Sequence, residues 1–187
     1  MTEPDWRITP LAAEHAYPLA ECHIACWREA YRDLVPAHVL DAFDVDRRAE
    51  QWERNRVKYP GHTWVALVDA QVIGFASAGE TRDDPPEPAH QLYALYVRSP
   101  WYGTGVAQDL LRAALDPSKP YSLWVFEQNP RALAFYRKHG FALDGTSRVE
   151  AFSPSIEVKM VRAPGEFQGH PSPGTPGPGR PAREGSC

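Results

Sequence analysis

Cysteine and long apolar runs are scarce in this chain of 187 residues, and acidic residues outnumber basic ones. Three cysteines are an odd number and too few for a disulfide scaffold. The formal net charge of −4 gives no electrostatic reason to expect nucleic acid or an anionic membrane as a partner. No apolar run approaches the roughly 20 residues that span a bilayer, and the N-terminus lacks the basic-then-apolar order of a secretory signal. We therefore expect a cytoplasmic enzyme or binding protein.

The last part of the chain contains little that would form a core. After Val161 the sequence is mostly proline, glycine, serine and polar residues. Such a composition buries too little apolar surface to offset the entropy that is lost on ordering. We expect one domain over residues 1–164 and a disordered Pro/Gly-rich tail over residues 165–187.

The rest of the sequence alternates between helix and strand patterns. Apolar residues recur at helical spacing over residues 12–32, and a second helical stretch begins at Pro36 and continues to about residue 59. Two apolar runs separated by Asp69–Gln71 predict a hairpin. The predicted order β, α, α, β, β, β, α, β, α, β, β indicates a mixed α/β sheet rather than an alternating doubly wound one.

The stretch ALYVRSPWYGTGVAQDLL, residues 94–111, runs from an apolar strand through a glycine turn into a helix. Gly103 and Gly105 permit close backbone approach, and a helix N-terminus favours negative charge. A nucleotide P-loop does not fit, since no Lys-Ser or Lys-Thr follows the glycines. A dinucleotide fingerprint does not fit either, since Gln108 stands where its third glycine would be. On these residues alone, the turn is either an anion site or a tight connection without a ligand.

Two motifs in sequence decide between these alternatives. LYALYVRSPWYGTGVAQDLL followed by LWVFEQNPRALAFYRKHGF resembles the GNAT superfamily of acetyl-CoA-dependent N-acetyltransferases. In the first motif, Gly105 and Ala107 match the small positions of that family's Gln/Arg-x-x-Gly-x-Gly/Ala turn, whereas Tyr102 replaces its Gln/Arg. The second motif matches at Asn129, Phe135, Tyr136, Gly140 and Phe141. The resemblance covers roughly residues 5–163 and implies a mostly antiparallel central sheet, splayed at the cofactor site and flanked by helices.

The resemblance also implies a cosubstrate, acetyl-CoA, and no metal. Its pyrophosphate would lie against the glycine turn, and its pantetheine arm would run beside the preceding strand. The expected cofactor-binding residues are Gly103, Thr104, Gly105, Val106, Ala107 and Gln108 on the turn, Leu95, Tyr96 and Val97 on the strand, and Asn129 and Tyr136 in the second motif. Asn129 is equally suited to be a plain helix N-cap.

Acetyl transfer to an amine needs a polarised thioester carbonyl and a proton for the departing thiolate. Tyr136 occupies the position of the family's general acid. The alternative is that Tyr136 has no catalytic role and is a helix aromatic that packs on the sheet. The backbone amide of Val97 is the expected donor to the carbonyl oxygen. We expect direct attack by the amine, without a covalent enzyme intermediate.

The general base is missing from the sequence. Many family members have a glutamate where this chain has Gln91, and others have one where it has Trp124. His90 is the first candidate, because a histidine titrates near neutral pH, although a solvent-exposed loop histidine is the alternative. Glu80 is the second candidate for the general base, and Glu127 is the third. A weakly basic amine would need no base.

The acceptor amine should enter opposite the cofactor, at the first two helices and the loop after the third strand. We expect Trp27, Tyr31, Glu80 and Tyr93 to bind substrate. Trp64 is a further candidate wall, although Trp27 and Trp64 also suit a core. The acidic loop over residues 80–90 would favour a cationic amine if it lay at the substrate entrance.

The sequence thus predicts an N-acetyltransferase that acts on a primary amine of a small molecule. One alternative is an acyl-CoA-binding sensor without catalysis, and another is a protein N-terminal or lysine acetyltransferase. Cys22, His23 and Cys26 share a helix, but no second pair of zinc ligands accompanies them, and we expect buried cysteines. Dimers are common in the family, so a homodimer is among the assemblies that the resemblance allows.

Overall fold

The structure, a computed structural model, describes residues 6–149, 155–165 and 167. The helices are α1 (Ala16–Tyr31), α2 (Ala37–Asp41), α3 (Val45–Lys58), α4 (Val106–Ala114) and α5 (Pro130–Lys138). The strands are β1 (Arg7–Pro10), β2 (Thr63–Val68), β3 (Gln71–Glu80), β4 (His90–Val97), β5 (Tyr121–Phe126), β6 (Ala142–Val149) and β7 (Ile156–Arg162). No helix in this described part is both long enough and apolar enough to cross a membrane.

The seven strands form one sheet in the order β1-β2-β3-β4-β5-β7-β6. Every neighbouring pair is antiparallel except β4 and β5, which run parallel. These two strands pair at a single register position, Gln91 with Ser122, and separate beyond it. The predicted mixed, mostly antiparallel sheet with a splay at its centre is confirmed, and the splay opens toward the carboxyl end of β4.

Helices cover both faces of the sheet. On one face, α1 and α3 bury Leu19 and Trp52 against Phe75 of β3. On the other face, α4 packs Leu110 against β2 and β3. Helix α5 lies beside α4, and its Leu133 belongs to an apolar cluster with residues of β5 and β7. The central strands are therefore buried on both faces, and the splay between β4 and β5 lies in the middle of the molecule.

The predicted second helix is two helices in the structure. Helix α2 ends at Asp41, and α3 begins at Val45. The carboxylate of Asp44 accepts a hydrogen bond from the Arg47 backbone N–H at 2.8 Å. An aspartate in this N-cap position starts a new helix rather than continuing the old one, which explains the interruption.

The predicted disordered tail, residues 165–187, lies outside the described residues except for Gly165 and Phe167. Both of these residues contact the domain. The Gly165 amide donates to the Pro117 carbonyl at 2.9 Å, and the Arg162 guanidinium lies 4.3 Å from the centre of the Phe167 ring. The chain therefore still contacts the domain three residues beyond the predicted boundary at residue 164.

Gly74 allows a close approach of β3 to β4 and α4. A Cβ atom at this position would lie 2.8 Å from the Tyr96 carbonyl oxygen and 3.2 Å from a Leu110 methyl carbon. The first of these atoms belongs to a strand backbone that cannot move away. We expect Gly74→Ala to lower the free energy of unfolding by about 1–3 kcal/mol, measured by urea denaturation.

Gly79, on the same strand, provides the matched control. A Cβ atom there would meet the side-chain ends of His62 and Tyr93 at 2.7 Å and 2.8 Å. Side-chain ends can rotate away, so Gly79→Ala should cost less stability than Gly74→Ala. An equal or larger loss for Gly79→Ala would contradict this explanation.

Candidate active site

A cavity of about 900 Å³ occupies the splay between β4 and β5. It extends from the turn that precedes α4, past one side of α5, to the carboxyl end of α1. Most of the predicted site residues line it: Trp27, Tyr31, Tyr93, Leu95, Tyr96, Val97, Gly103, Thr104, Gly105, Ala107, Gln108, Asn129 and Tyr136. The fold thus brings residues from three separate segments of the sequence to one cavity.

The glycine turn forms one end of this cavity. Gly103 and Gly105 have φ values of 77° and 106°, a left-handed conformation that residues with a side chain rarely adopt. Gly105 is the N-cap of α4. The amides of Val106 and Ala107 have no acceptor among the described residues, whereas the Gln108 amide already donates to the Gly105 carbonyl at 2.9 Å. Unpaired amides at a helix N-terminus attract an anion.

The rim of the turn differs from the family pattern at Tyr102. The guanidinium of Arg131, from the first turn of α5, stacks 3.4 Å from the centre of the Tyr102 ring. Both side chains line the cavity. Tyr102 carries no charge itself, but its ring binds the guanidinium of Arg131 and so keeps a positive charge at the rim of the turn.

Strand β4 presents free backbone groups to the splay. The Arg98 amide donates to the Ile73 carbonyl of β3 at 2.9 Å. Because successive residues of a strand direct their amides to opposite edges, the amides of Val97 and Leu95 point away from β3. That direction leads into the splay, where β5 is too far away to pair.

Tyr136 lies on α5 and is only 9% exposed. Burial, with a smaller contribution from Tyr31, raises the pKa of its hydroxyl well above the usual value. The phenol therefore stays protonated at neutral pH, as a general acid must. Asn129 caps the same helix, because its side-chain oxygen accepts from the Ala132 amide at 3.1 Å. Asn129 also lines the cavity.

The other end of the cavity is aromatic. The hydroxyls of Tyr31 and Tyr96 are 3.1 Å apart and form a hydrogen bond. Burial raises the pKa of Tyr31 to about 12 and raises that of Tyr96 well above its usual value. Both phenols are consequently neutral at physiological pH. Trp27 packs edge-on against Tyr31, with ring centres 5.0 Å apart.

Two predicted site residues, His90 and Glu80, are not among the residues that line the cavity. They pair with each other across β3 and β4, at the far end of the splay. The ring of His90 lies 5.4 Å from that of Tyr121. A β-bulge at Tyr93 accounts for this placement, because the pairing shifts from Ser77–Ala94 to Ala78–Leu92. The shift turns His90 to the face opposite Tyr96, and the structure does not support His90 as the base.

One further expectation needs correction. Trp64 packs in the cluster beneath α4, with Ala66 and Leu110, and it does not line the cavity. Val106 is fully buried and is not part of the lining, which leaves its backbone amide for the predicted cofactor contact. Its side chain instead anchors the start of α4 in the core.

The structure also shows what the two residues at the expected glutamate positions do. Gln91 is 6% exposed, and its side-chain oxygen accepts from the Arg82 amide at 3.1 Å. The Trp124 indole N–H donates to the Asp83 carboxylate at 3.0 Å. Both side chains therefore hold the loop between β3 and β4 in place.

Sequence reasoning missed three charged residues at the aromatic end, Arg82, Arg148 and Glu157, which line the cavity together with Asp83 of the predicted acidic loop. Lys159, just outside the lining, pairs with Asp83 at 2.8 Å, and Arg148 pairs with Glu157 at 2.8 Å. The charges at 157 and 159 recur with the period of a strand, a signal that would have placed both on one face of β7. Burial alone would raise the pKa of Asp83. Hydrogen bonds from Lys159 and Trp124 have the larger combined effect and lower this pKa below its usual value.

The cysteines of α1 are buried, as expected. Cys22 and Cys26 are 2% and 1% exposed, and their sulfur atoms, 3.9 Å apart, form a hydrogen bond and no disulfide. His23 packs among aromatic rings, and burial lowers its pKa to about 3. Over the described ranges, no three His, Cys, Asp or Glu side chains are placed to share a metal ion.

Comparison with known proteins gives the same family as the two motifs. A sequence model of the acetyltransferase (GNAT) family matches residues 24–141. A probable N-acetyltransferase of Mycobacterium tuberculosis is 29% identical over 135 residues, which are 68% of this chain and 74% of that protein.

Solved structures share the fold. The PaiA N-acetyltransferase of Thermoplasma acidophilum in complex with coenzyme A superposes with a TM-score of 0.63 at 18% identity, over 87% of this chain and 99% of that one. The yncA protein of Salmonella typhimurium, solved with acetyl-CoA, superposes with a TM-score of 0.62 at 17% identity, over 90% and 98%. With more than half of its length matched by the family model, the chain belongs to the GNAT family of acetyltransferases.

Proposed function

We propose that this protein is an acetyl-CoA-dependent N-acetyltransferase that acts on a primary amine of a small molecule. One observation carries the proposal: a single cavity is lined by the glycine turn, by β4 along its unpaired edge and by the buried residue Tyr136. The amides of Val106 and Ala107 fit a pyrophosphate, and Leu95 and Val97 offer strand-like hydrogen bonds to a pantetheine arm. Coenzyme A in the PaiA structure and acetyl-CoA in the yncA structure support this assignment.

The residues divide the chemistry between them. Acetyl-CoA, when bound, supplies an activated thioester. The Val97 amide donates to the carbonyl oxygen and stabilises the negative charge that develops there as the amine nitrogen attacks. The C–N bond forms, the C–S bond breaks, and the Tyr136 hydroxyl gives its proton to the departing sulfur. The amine nitrogen releases one proton to solvent, and the Tyr136 phenolate takes one proton from solvent, which restores the phenol.

No residue of the cavity is well suited to take a proton from a cationic amine. Asp83 and Glu157 are tied to Lys159 and Arg148. His139 lines the cavity, but burial lowers its pKa, and the nearby charges of Lys138, Arg112 and Arg162 lower it further. The amine therefore has to arrive neutral, which for an alkylamine of pKa near 10 is about one molecule in a thousand at pH 7.

Because only the neutral amine reacts, the rate of acetyl transfer should depend on pH through the protonation of the amine. We expect kcat/KM for an alkylamine to rise about tenfold per pH unit from pH 6.5 to 9, with no inflection near 6.5. The raised pKa of Tyr136 keeps the acid protonated, so no fall is expected below about pH 10. The profile of His90→Gln should overlie that of the wild type. An inflection near pH 6.5 that this variant abolishes would restore His90 as the base.

A second candidate is an acyl-CoA sensor without catalysis, favoured by the structural use of Gln91 and Trp124. Calorimetric titration with acetyl-CoA, followed by a thiol-release assay over a panel of amines, separates the two functions. The enzyme should bind acetyl-CoA and release thiol only when an amine is added. Binding at micromolar concentration without thiol release for any amine would support the sensor instead.

A further inference from the structure

We infer that the acceptor amine carries a carboxylate, held by Arg82, several bonds away from the reacting nitrogen. The inference rests on the proposed function, since it concerns the acceptor end of the same cavity. It names the substrate class: a small amino acid whose amine and carboxylate are well separated, rather than a simple polyamine or alkylamine.

The charges at the acceptor end leave one guanidinium without an anionic partner. The carboxylate of Asp83 is paired with Lys159, and that of Glu157 is paired with Arg148. Arg82 lines the cavity beside them, and no carboxylate of the described chain forms an ion pair with it. Among these side chains, three cations therefore accompany two carboxylates.

The acidic loop does not supply the negative field that its composition suggested. Asp83 is its one carboxylate in the cavity lining, and Lys159 neutralises it. Lys159 also donates to the Glu87 carbonyl at 2.9 Å, which fixes the loop over β7. A cationic amine without an anionic group would therefore find no free carboxylate here, whereas an anionic group would find Arg82.

Arg82 is held in a defined position, although its side chain is exposed. Its backbone amide donates to the buried Gln91 side chain at 3.1 Å. Its guanidinium lies over the Tyr93 ring, 4.1 Å from the ring centre, and the Tyr93 hydroxyl donates to the Glu80 carbonyl. The guanidinium also hydrogen-bonds to the Tyr93 hydroxyl, which uses part of its edge and leaves its other N–H groups to bind a carboxylate.

Arg82 is too distant from the glycine turn to serve the pyrophosphate. Its anchor, Gln91, and Val97 at the end of β4 are six residues apart, a rise of about 20 Å along a strand. Tyr93 and the Val97 amide are four residues apart, about 13 Å along the strand. Because the Arg82 guanidinium lies over the Tyr93 ring, an amine and a carboxylate on one carbon atom would be too close together to reach both Arg82 and the Val97 amide. This spacing favours an ω-amino acid.

Pairs of amines with matched length test the inference. Thiol release by the full chain would be measured with 6-aminohexanoate and with hexylamine, whose amines titrate near the same pH, and with glycine as a short amino acid. We expect the wild type to prefer 6-aminohexanoate to both. Arg82→Gln should lower kcat/KM for 6-aminohexanoate by about 10- to 100-fold and change kcat/KM for hexylamine less than twofold.

Two further variants distinguish binding from structure. Arg82→Lys keeps the charge without the planar fork and should recover part of the activity with 6-aminohexanoate. Arg7→Gln, an exposed arginine on β1, should change nothing. Equal losses for both amines in Arg82→Gln, or a wild-type preference for hexylamine, would overturn the carboxylate site and leave the N-acetyltransferase function standing. If none of the amines led to thiol release, the proposed function and the carboxylate site would both be contradicted.

Discussion

Tyr136→Phe is expected to lower kcat by about 100-fold or more and to leave the KM for acetyl-CoA nearly unchanged. The substitution removes one oxygen atom from a side chain that is 9% exposed and keeps the ring in its apolar cluster. General acid catalysis contributes about 10² to 10⁴ in rate, and here the acid protonates a thiolate that would otherwise depart unassisted. Initial rates of thiol release at saturating amine measure the effect.

Tyr121→Phe is the matched control for this result. Tyr121 is also buried, at 5% exposed, but it is outside the cavity lining. Its hydroxyl accepts from the Asp116 amide at 3.1 Å, so its loss should lower stability slightly without changing kcat. If Tyr136→Phe kept wild-type kcat, Tyr136 would be an aromatic residue of the core and the leaving thiolate would obtain its proton from water.

Ala107→Glu is expected to weaken acetyl-CoA binding by about a hundredfold. Ala107 lies in the first turn of α4 and lines the cavity at the anion end. A glutamate there places negative charge where the pyrophosphate would bind, and like charges in contact cost several kcal/mol. The same charge favours the helix dipole, so the fold should remain stable. Calorimetric titration with acetyl-CoA gives the dissociation constant directly.

Ala107→Gln separates the charge from the size of the side chain. Glutamine has nearly the same volume as glutamate but no charge, and we expect it to weaken binding much less than glutamate does. The difference between the two variants should shrink as salt screens the repulsion. Identical dissociation constants for the two would show that the phosphates bind somewhere other than the start of α4.

Local sequence signals predicted the parts of the site that depend on backbone conformation. Glycines with positive φ are required where β4 turns into α4, and the chain has them at positions 103 and 105. Asn129, followed by Pro130, predicted the start of α5, and the structure begins that helix at Pro130 with Asn129 as its cap. The strands on either side of the splay were equally clear, because their apolar runs are continuous.

The direction of side chains along β4 was not predictable in the same way. Strict alternation would place His90 on the same face as Ala94 and Tyr96. The bulge at Tyr93 reverses that relation, and no glycine or other unusual residue in this segment marks the bulge. One extra residue in a strand thus moved the first candidate base to the opposite face of the sheet.

The charged residues of the acceptor end depend on contacts between distant segments. Asp83 meets Trp124 and Lys159, which are 41 and 76 positions away in the sequence. Such pairs follow from the path of a loop over the sheet, and composition alone suggested an acidic loop with a free negative charge. The structure replaces that expectation with two neutralised pairs and one guanidinium, that of Arg82.

A crystal structure of the chain with bound acetyl-CoA tests the central claim most directly. We expect the pyrophosphate oxygens within about 3 Å of the Val106 and Ala107 amides, the thioester carbonyl oxygen at hydrogen-bond distance from the Val97 amide, and the sulfur within reach of the Tyr136 hydroxyl. A cosubstrate bound outside the splay, or one whose thioester lies far from both Val97 and Tyr136, would contradict the mechanism.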